Sequence, residues 1–172
     1  MGLTTVQPKT DKWSLIQTVL PYTASHSMSG KAVVYRASEE GVAIGSHIDV
    51  YFQPDPAEAN ILQFGVNSTS GVTFEIYEGV DASGGTPLEA FNYNREVSFD
   101  YNTSAAYSPS ITSMGTLIGS ISTADKKDAF DSSDALVLDR NQDYIFRAVS
   151  QDAGNTVEIE LIVVIDDGAF IP

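Results

Sequence analysis

Residues able to do chemistry are few in this chain, and their spacing argues against most reactions. There is no cysteine, so thiolate catalysis, disulfides and cysteine-based zinc sites are all absent. A serine nucleophile needs a base within reach, usually histidine. The two histidines are His26, in Ser25-His26-Ser27-Met28-Ser29, and His47, at the start of an apolar run, and no Gly-x-Ser-x-Gly elbow accompanies either. Both are read as turn or surface residues. Gly30-Lys31 resembles the end of a phosphate loop, but Ala32 stands where Ser or Thr would hold magnesium. The loop's first glycine is missing as well, with Ala24 or Ser25 in its place. Asp139-Arg140-Asn141-Gln142-Asp143 alternates like a calcium loop, then places Tyr144 at the glycine position and Ser150 at the bidentate glutamate position. It reads as a polar turn leading into a strand. Asp125, Asp128, Asp131 and Asp134, with Asp166 and Asp167, read as solvated surface. No carboxylate pair is singled out for glycoside hydrolysis. The sequence therefore assigns no catalytic residue, no metal site and no cofactor.

What remains suits contact rather than catalysis. Tyr93, Phe99, Tyr101 and Tyr107 lie in a polar stretch with Asn92, Asn94 and Asn102. Such a mixture can stack sugars, form an interface, or cap the end of a domain. Arg95 is one of only nine basic residues and follows Asn92 and Asn94. Its five fixed donors suit a carbonyl or carboxylate, either inside the domain or on a neighbouring subunit. A second candidate contact is apolar: Trp13, Leu15 and Ile16, followed by Val19 and Leu20, with no partner strand in view. Candidate interface residues are thus Trp13, Leu15, Ile16, Asn92, Tyr93, Asn94, Arg95, Tyr101 and Tyr107.

The elements that must position these residues have a period of two. Ile48, Val50 and Phe52 share one face; so do Leu62, Phe64 and Val66, then Phe74 and Ile76, then Val157, Ile159, Leu161, Val163 and Ile165. Glu75, Glu158 and Glu160 face the other way. Strict alternation marks strands with one buried face. Further strands are expected near Ala32–Ala37, Ile111–Ser120, Ala135–Leu138 and Tyr144–Ser150, and a loop over Ala124–Ser133. Turn clusters such as Gln53-Pro54-Asp55-Pro56 and Ser83-Gly84-Gly85-Thr86-Pro87 separate them. Many short strands without a normal helix predict an all-β chain: a single antiparallel β-sandwich or jelly roll over residues 26–172, with an extended N-terminal arm over residues 1–25.

At 172 residues the chain can bury a core without staples. It carries 23 acidic against 9 basic residues, a formal net charge of −14, which argues against nucleic acid as a partner. No segment approaches the ~20 apolar residues of a membrane span, so no membrane partner is expected. The N-terminus lacks the basic start and apolar core of a secretion signal, so use without secretion is expected. Asn67-Ser68-Thr69 and Asn102-Thr103-Ser104 then read as chance matches to a glycosylation acceptor.

One stretch is more specific. Thr73-Phe74-Glu75-Ile76-Tyr77-Glu78-Gly79 is followed, after a short loop, by Ser83-Gly84-Gly85-Thr86-Pro87 and then Asn92-Tyr93-Asn94-Arg95. A strand ending Tyr-Glu, a Gly-Gly-Thr turn and Asn-x-Asn-Arg resemble the jelly-roll decoration, or cement, proteins of tailed-bacteriophage heads. His26, Gly30-Lys31, Met114-Gly115-Thr116-Leu117, Leu136-Val137-Leu138 and Asp143-Tyr144-Ile145-Phe146-Arg147 are similar to the family's flanking segments. The last strand departs from the family, ending Val163-Val164-Ile165-Asp166 rather than in an aromatic plus Glu. The resemblance implies a non-enzymatic homotrimer, made in the host cytoplasm, that binds the major capsid protein on the outer surface of the head and stabilises the shell. The alternative is a carbohydrate-binding module or head-fibre adhesin on the same sandwich, using Tyr93, Tyr101 and Tyr107.

Overall fold

The computed structural model describes residues 31–94, 96, 100–123, 130–131 and 136–166. Trp13, Leu15, Ile16, the rest of the expected arm, Arg95 and Phe99 lie outside the described residues. The described strands are β1 (Ala32–Val42), β2 (His47–Gln53), β3 (Ala59–Ser68), β4 (Val72–Glu78), β5 (Asp81–Ser83), β6 (Thr86–Pro87) and β7 (Phe91–Asn92). They continue with β8 (Ser104–Tyr107), β9 (Ser110–Ser113), β10 (Thr116–Thr123), β11 (Phe130–Asp131), β12 (Leu136–Leu138), β13 (Tyr144–Ser150) and β14 (Asn155–Asp166).

These strands form two large antiparallel sheets packed as a β-sandwich. The first runs β3–β14–β1–β7, with β11 and β12 both on the outer edge of β3; the second runs β10–β4–β13–β2–β8–β6. The alternating residues meet between them. All twelve of Ile48, Val50, Phe52, Leu62, Phe64, Val66, Phe74, Ile76, Phe146, Ile159, Leu161 and Val163 are buried in one cluster. Aromatic rings tie the two sheets: Phe64 of β3 stacks on Phe74 of β4 at 5.0 Å between centroids, and Tyr35 of β1 meets Phe52 of β2 edge-on at 6.0 Å. Tyr35 and Tyr144 are buried without an orphaned hydroxyl. The Tyr35 hydroxyl donates to the Thr103 carbonyl at 2.9 Å, and that of Tyr144 to Glu78 Oε1 at 2.7 Å.

The chain between β4 and β10 does not simply loop out. Its strands β5 and β9 pair as a ribbon over the outer face of the second sheet. A second apolar cluster lies there: Tyr51, Val80 and Ile145, with Tyr77, Ala82, Ile111 and Met114 packed against them. The same excursion sends β7 to the edge of β1 and β8 to the edge of β2. One insertion thus adds short strands to both sheets on the same side of the sandwich, β7 covering the Val33–Val34 stretch of β1.

Two turns hold the excursion in place. Gly115 sits at φ +69°, where an added Cβ would lie 2.2 Å from the Glu78 carbonyl oxygen. Gly84 and Gly85 also have positive φ, at 69° and 90°. They do not close a hairpin, however, because β5 goes to the ribbon and β6 to β8. Gly115 further splits the strand expected over Ile111–Ser120 into β9 and β10. Within the stretch expected to loop, Phe130–Asp131 pairs with Val66 and Gly65 of β3.

Candidate functional site

The predicted contact residues divide once placed. Asn92 belongs to β7, opposite Val33 of β1, and the Tyr93 amide continues the pairing by donating to the Ala32 carbonyl at 2.9 Å. The Asn94 amide donates to Asn92 Oδ1 at 2.9 Å, and the Glu96 amide to Asn94 Oδ1 at 3.0 Å. These are two successive Asx turns. The Asn-x-Asn spacing therefore has a local consequence: each side-chain oxygen accepts from the amide two residues on.

Tyr101 and Tyr107 are partly buried. Both pack against the main core. The Tyr101 hydroxyl donates to the Ala90 carbonyl at 3.3 Å, and Tyr107 donates to the Glu39 carboxylate. Burial, then the neighbouring Glu39, pushes the Tyr107 hydroxyl up to about 12. These two rings close the capped side of the sandwich. Tyr93 differs, with 53% of its surface exposed.

Tyr93 belongs to a face that the sequence analysis did not assemble. Phe91 lies two residues earlier on the same side of β7 and is 44% exposed. Phe91 pairs with Val34 of β1, whose outward neighbour Arg36 pairs in turn with Glu160 of β14. Val34, Arg36, Phe91, Asn92 and Tyr93 line an open cleft of about 340 Å3. The Arg36 guanidinium donates through Nε to Glu160, and this bond, reinforced by the charge of Glu160, raises the Arg36 pKa. Glu160 thus holds the guanidinium beside the two rings. The alternation Phe91-x-Tyr93 was readable in the sequence. The Arg36–Glu160 pair was not, because it joins residues 124 positions apart through the β1–β14 register.

A second polar cluster lies on the outer face of the second sheet. Arg147 of β13 reaches Asp49 of β2 through two bonds, Nε to Oδ1 at 2.7 Å and an Nη to Oδ2 at 2.8 Å. The bond to Asp49 raises the Arg147 pKa. Its guanidinium carbon lies 6.0 Å from the Tyr77 ring centre, and the Tyr77 hydroxyl donates to Glu75 Oε2 at 2.8 Å. His47 Nε2 is 3.4 Å from Asp49 Oδ2. The bidentate geometry and shielded position make this pair a cross-strand brace, with β13 held to β2.

Elsewhere polar residues secure turns. The Asn155 side chain accepts from the Thr69 and Ser70 amides and donates to the Gly71 carbonyl and the Ser150 hydroxyl. Asp139 Oδ1 accepts from the Asn141 amide at 2.9 Å, so the calcium-like run forms an Asx turn into β13. Among the described residues no group of three or more His, Asp or Glu could hold a metal ion. A further cleft, of about 320 Å3, opens between the sheets beside β10 and is mostly apolar, with Ile118, Gly119 and Leu136 at its mouth. Comparisons with protein-family models, with curated proteins and with solved structures found no match.

Proposed function

We propose that this chain is a non-enzymatic decoration protein of a tailed-phage head. On this reading it is made in the host cytoplasm and binds the major capsid protein on the outer surface of the shell as a homotrimer. There it stabilises the shell by burying surface across neighbouring capsomers. The observation that carries the reading is where the family-like residues fall. Tyr77-Glu78, Gly84-Gly85-Thr86, Asn92-x-Asn94 and Gly115-Thr116 fall within residues 77–116, at the two ends and the turns of the excursion between β4 and β10. They start it, turn it and return it, with Thr116 paired to Glu78. The motif thus describes a built platform on one side of a sandwich rather than a reaction centre.

The connectivity supports the jelly-roll form of that sandwich. Strands β1, β14, β3 and β12 lie in one sheet and β2, β13, β4 and β10 in the other, with the chain crossing between sheets at β1–β2, β2–β3, β3–β4, β12–β13 and β13–β14. The acidic charge supports a coat that does not trap nucleic acid.

The test is to mix the purified full chain with shells of the major capsid protein assembled without it. Co-sedimentation and added density on the outer surface in a cryo-EM map are expected, with a free mass in solution of about three times 18.5 kDa. Deleting residues 1–21 is expected to leave the sandwich's melting temperature unchanged and weaken shell binding. Shells that stay bare at saturating protein would overturn the proposal.

A further inference from the structure

We propose that the outer face of the first sheet at β7 is a binding site for neutral oligosaccharides. Sugar rings would stack on Phe91 and Tyr93, and their hydroxyls would bond to Arg36 and Glu160. The inference rests on this face alone and is independent of the capsid reading.

The first argument is exposure. Among the described residues, Phe91 and Tyr93 are the aromatic side chains with about half of their surface exposed, while Tyr35, Phe52, Phe64, Phe74, Tyr144 and Phe146 are in the core. Two half-exposed rings lining one open cleft leave apolar area that an occupant would bury. Aromatic faces carry partial negative charge and attract the weakly positive C–H groups of a pyranose, so two rings spaced by one residue form a stacking strip.

The second argument is the adjoining charge. An isolated arginine would favour an anion, but Arg36 is already bonded to Glu160, and Glu158 also acts on it. The pair keeps both kinds of polar function. The guanidinium has N–H groups beyond the one given to Glu160, and the carboxylate has further lone pairs. A vicinal diol needs that combination, since each hydroxyl both accepts and donates. With a chain charge of −14 and two glutamates alongside, an anionic sugar is repelled. The third argument is size. A cleft of about 340 Å3 is at the small end of ligand clefts and has room for one or two pyranose rings.

The experiment titrates the full chain with cellohexaose and laminarihexaose by NMR and calorimetry, with a galacturonate hexamer as the anionic control. Saturable binding of at least one neutral hexaose in the millimolar range or tighter is expected, with the galacturonate at least about tenfold weaker. Phe91→Ala and Tyr93→Ala should each weaken binding about tenfold, Tyr93→Phe should retain it, and Arg36→Gln should weaken it with no change in stacking-induced ring shifts. Melting curves check that each variant is folded, and Tyr93→Ala, which keeps the backbone bond to Ala32 and lies one residue past β7, carries the test if Phe91→Ala is not. Absence of saturable binding to either neutral hexaose at about 10 mM overturns the proposal. So does binding that survives Tyr93→Ala and Arg36→Gln together, or a tighter fit to galacturonate. Loss of shell binding in these variants without any sugar binding would make the face a protein contact and would equally overturn it.

Discussion

Arg147→Met should be the most damaging single change on the outer face of the second sheet. In register, Arg147 lies between Asp49 on β2 and Glu75 on β4. It gives Asp49 two bonds of 2.7 and 2.8 Å, while the Asp49 side chain is only 8% exposed and that of Arg147 18%. Methionine fills much of the arginine stem's space but leaves a shielded carboxylate without its cation and with Glu75 across the row. Breaking a buried pair by removing one partner costs about 3–5 kcal/mol. The pair is shielded rather than fully buried, with the Arg147 side chain 18% exposed, so the lower end is expected, about 3 kcal/mol. For a domain of this size that corresponds to a melting temperature lower by roughly 6–12 °C. The assay is urea unfolding at pH 7 followed by tyrosine fluorescence and circular dichroism. The double variant Asp49→Leu with Arg147→Met removes both charges and should recover to within about 1 kcal/mol of the parent. A single-variant loss under about 1 kcal/mol would refute the reasoning, as would a double variant no better than Arg147→Met alone.

Three other outcomes follow from the same structure. Gly115→Ala should cost clearly more than Gly154→Ala in urea unfolding. Both have positive φ, worth about 1–2 kcal/mol, but only at Gly115 does the new Cβ strike a carbonyl oxygen, at 2.2 Å. Phe64→Ala should cost about 3–5 kcal/mol, because the ring is buried and stacked on Phe74; a loss under about 1 kcal/mol would place it outside the core. Stability should also fall above about pH 10. Burial raises the Tyr35 pKa to about 12 and raises those of Tyr51 and Tyr144. Between pH 10 and 12 the unfolded chain loses phenol protons that the folded chain keeps, so rising pH favours unfolding. Tyrosinate absorbance near 295 nm should therefore appear together with unfolding, and a melting temperature flat from pH 9 to 12 would contradict this.

The core was legible where one face of a strand is wet. In β3 and β4 polar or small residues separate the inward side chains, and all the inward positions named there are buried. The signal fades in β1, where Ala32 and Val34 are buried along with Val33 and Tyr35, so period two is lost. Tyr35 and Tyr144 escaped notice for another reason: a tyrosine enters a core only if its hydroxyl finds a partner, and those partners, Thr103 and Glu78, come from elsewhere in the chain. The cleft at β7 was half legible. Phe91 and Tyr93 are neighbours in sequence, whereas Arg36 and Glu160 meet only through sheet register. Asn92 and Asn94, expected as contact residues, accept hydrogen bonds from the backbone amides two residues on.

The last two strands of the sandwich are the central ones. β14 lies between β1 and β3, and β13 between β2 and β4. Until they arrive, β1 has no hydrogen-bonded route to β3, nor β2 to β4, and each of these early strands keeps one flank open. During synthesis, at about 5–20 residues per second, the emerging chain can form the excursion's ribbon and outer pairs such as β4 with β10 and β2 with β8, but can complete neither sheet. Assembly is thus deferred to the end of translation and dominated by pairings distant in sequence, which makes it slow. A nascent chain stalled before β14 would expose Val33, Tyr35, Leu62 and Phe64 together, making it a substrate for chaperones and proteases, whereas the finished chain hides them all.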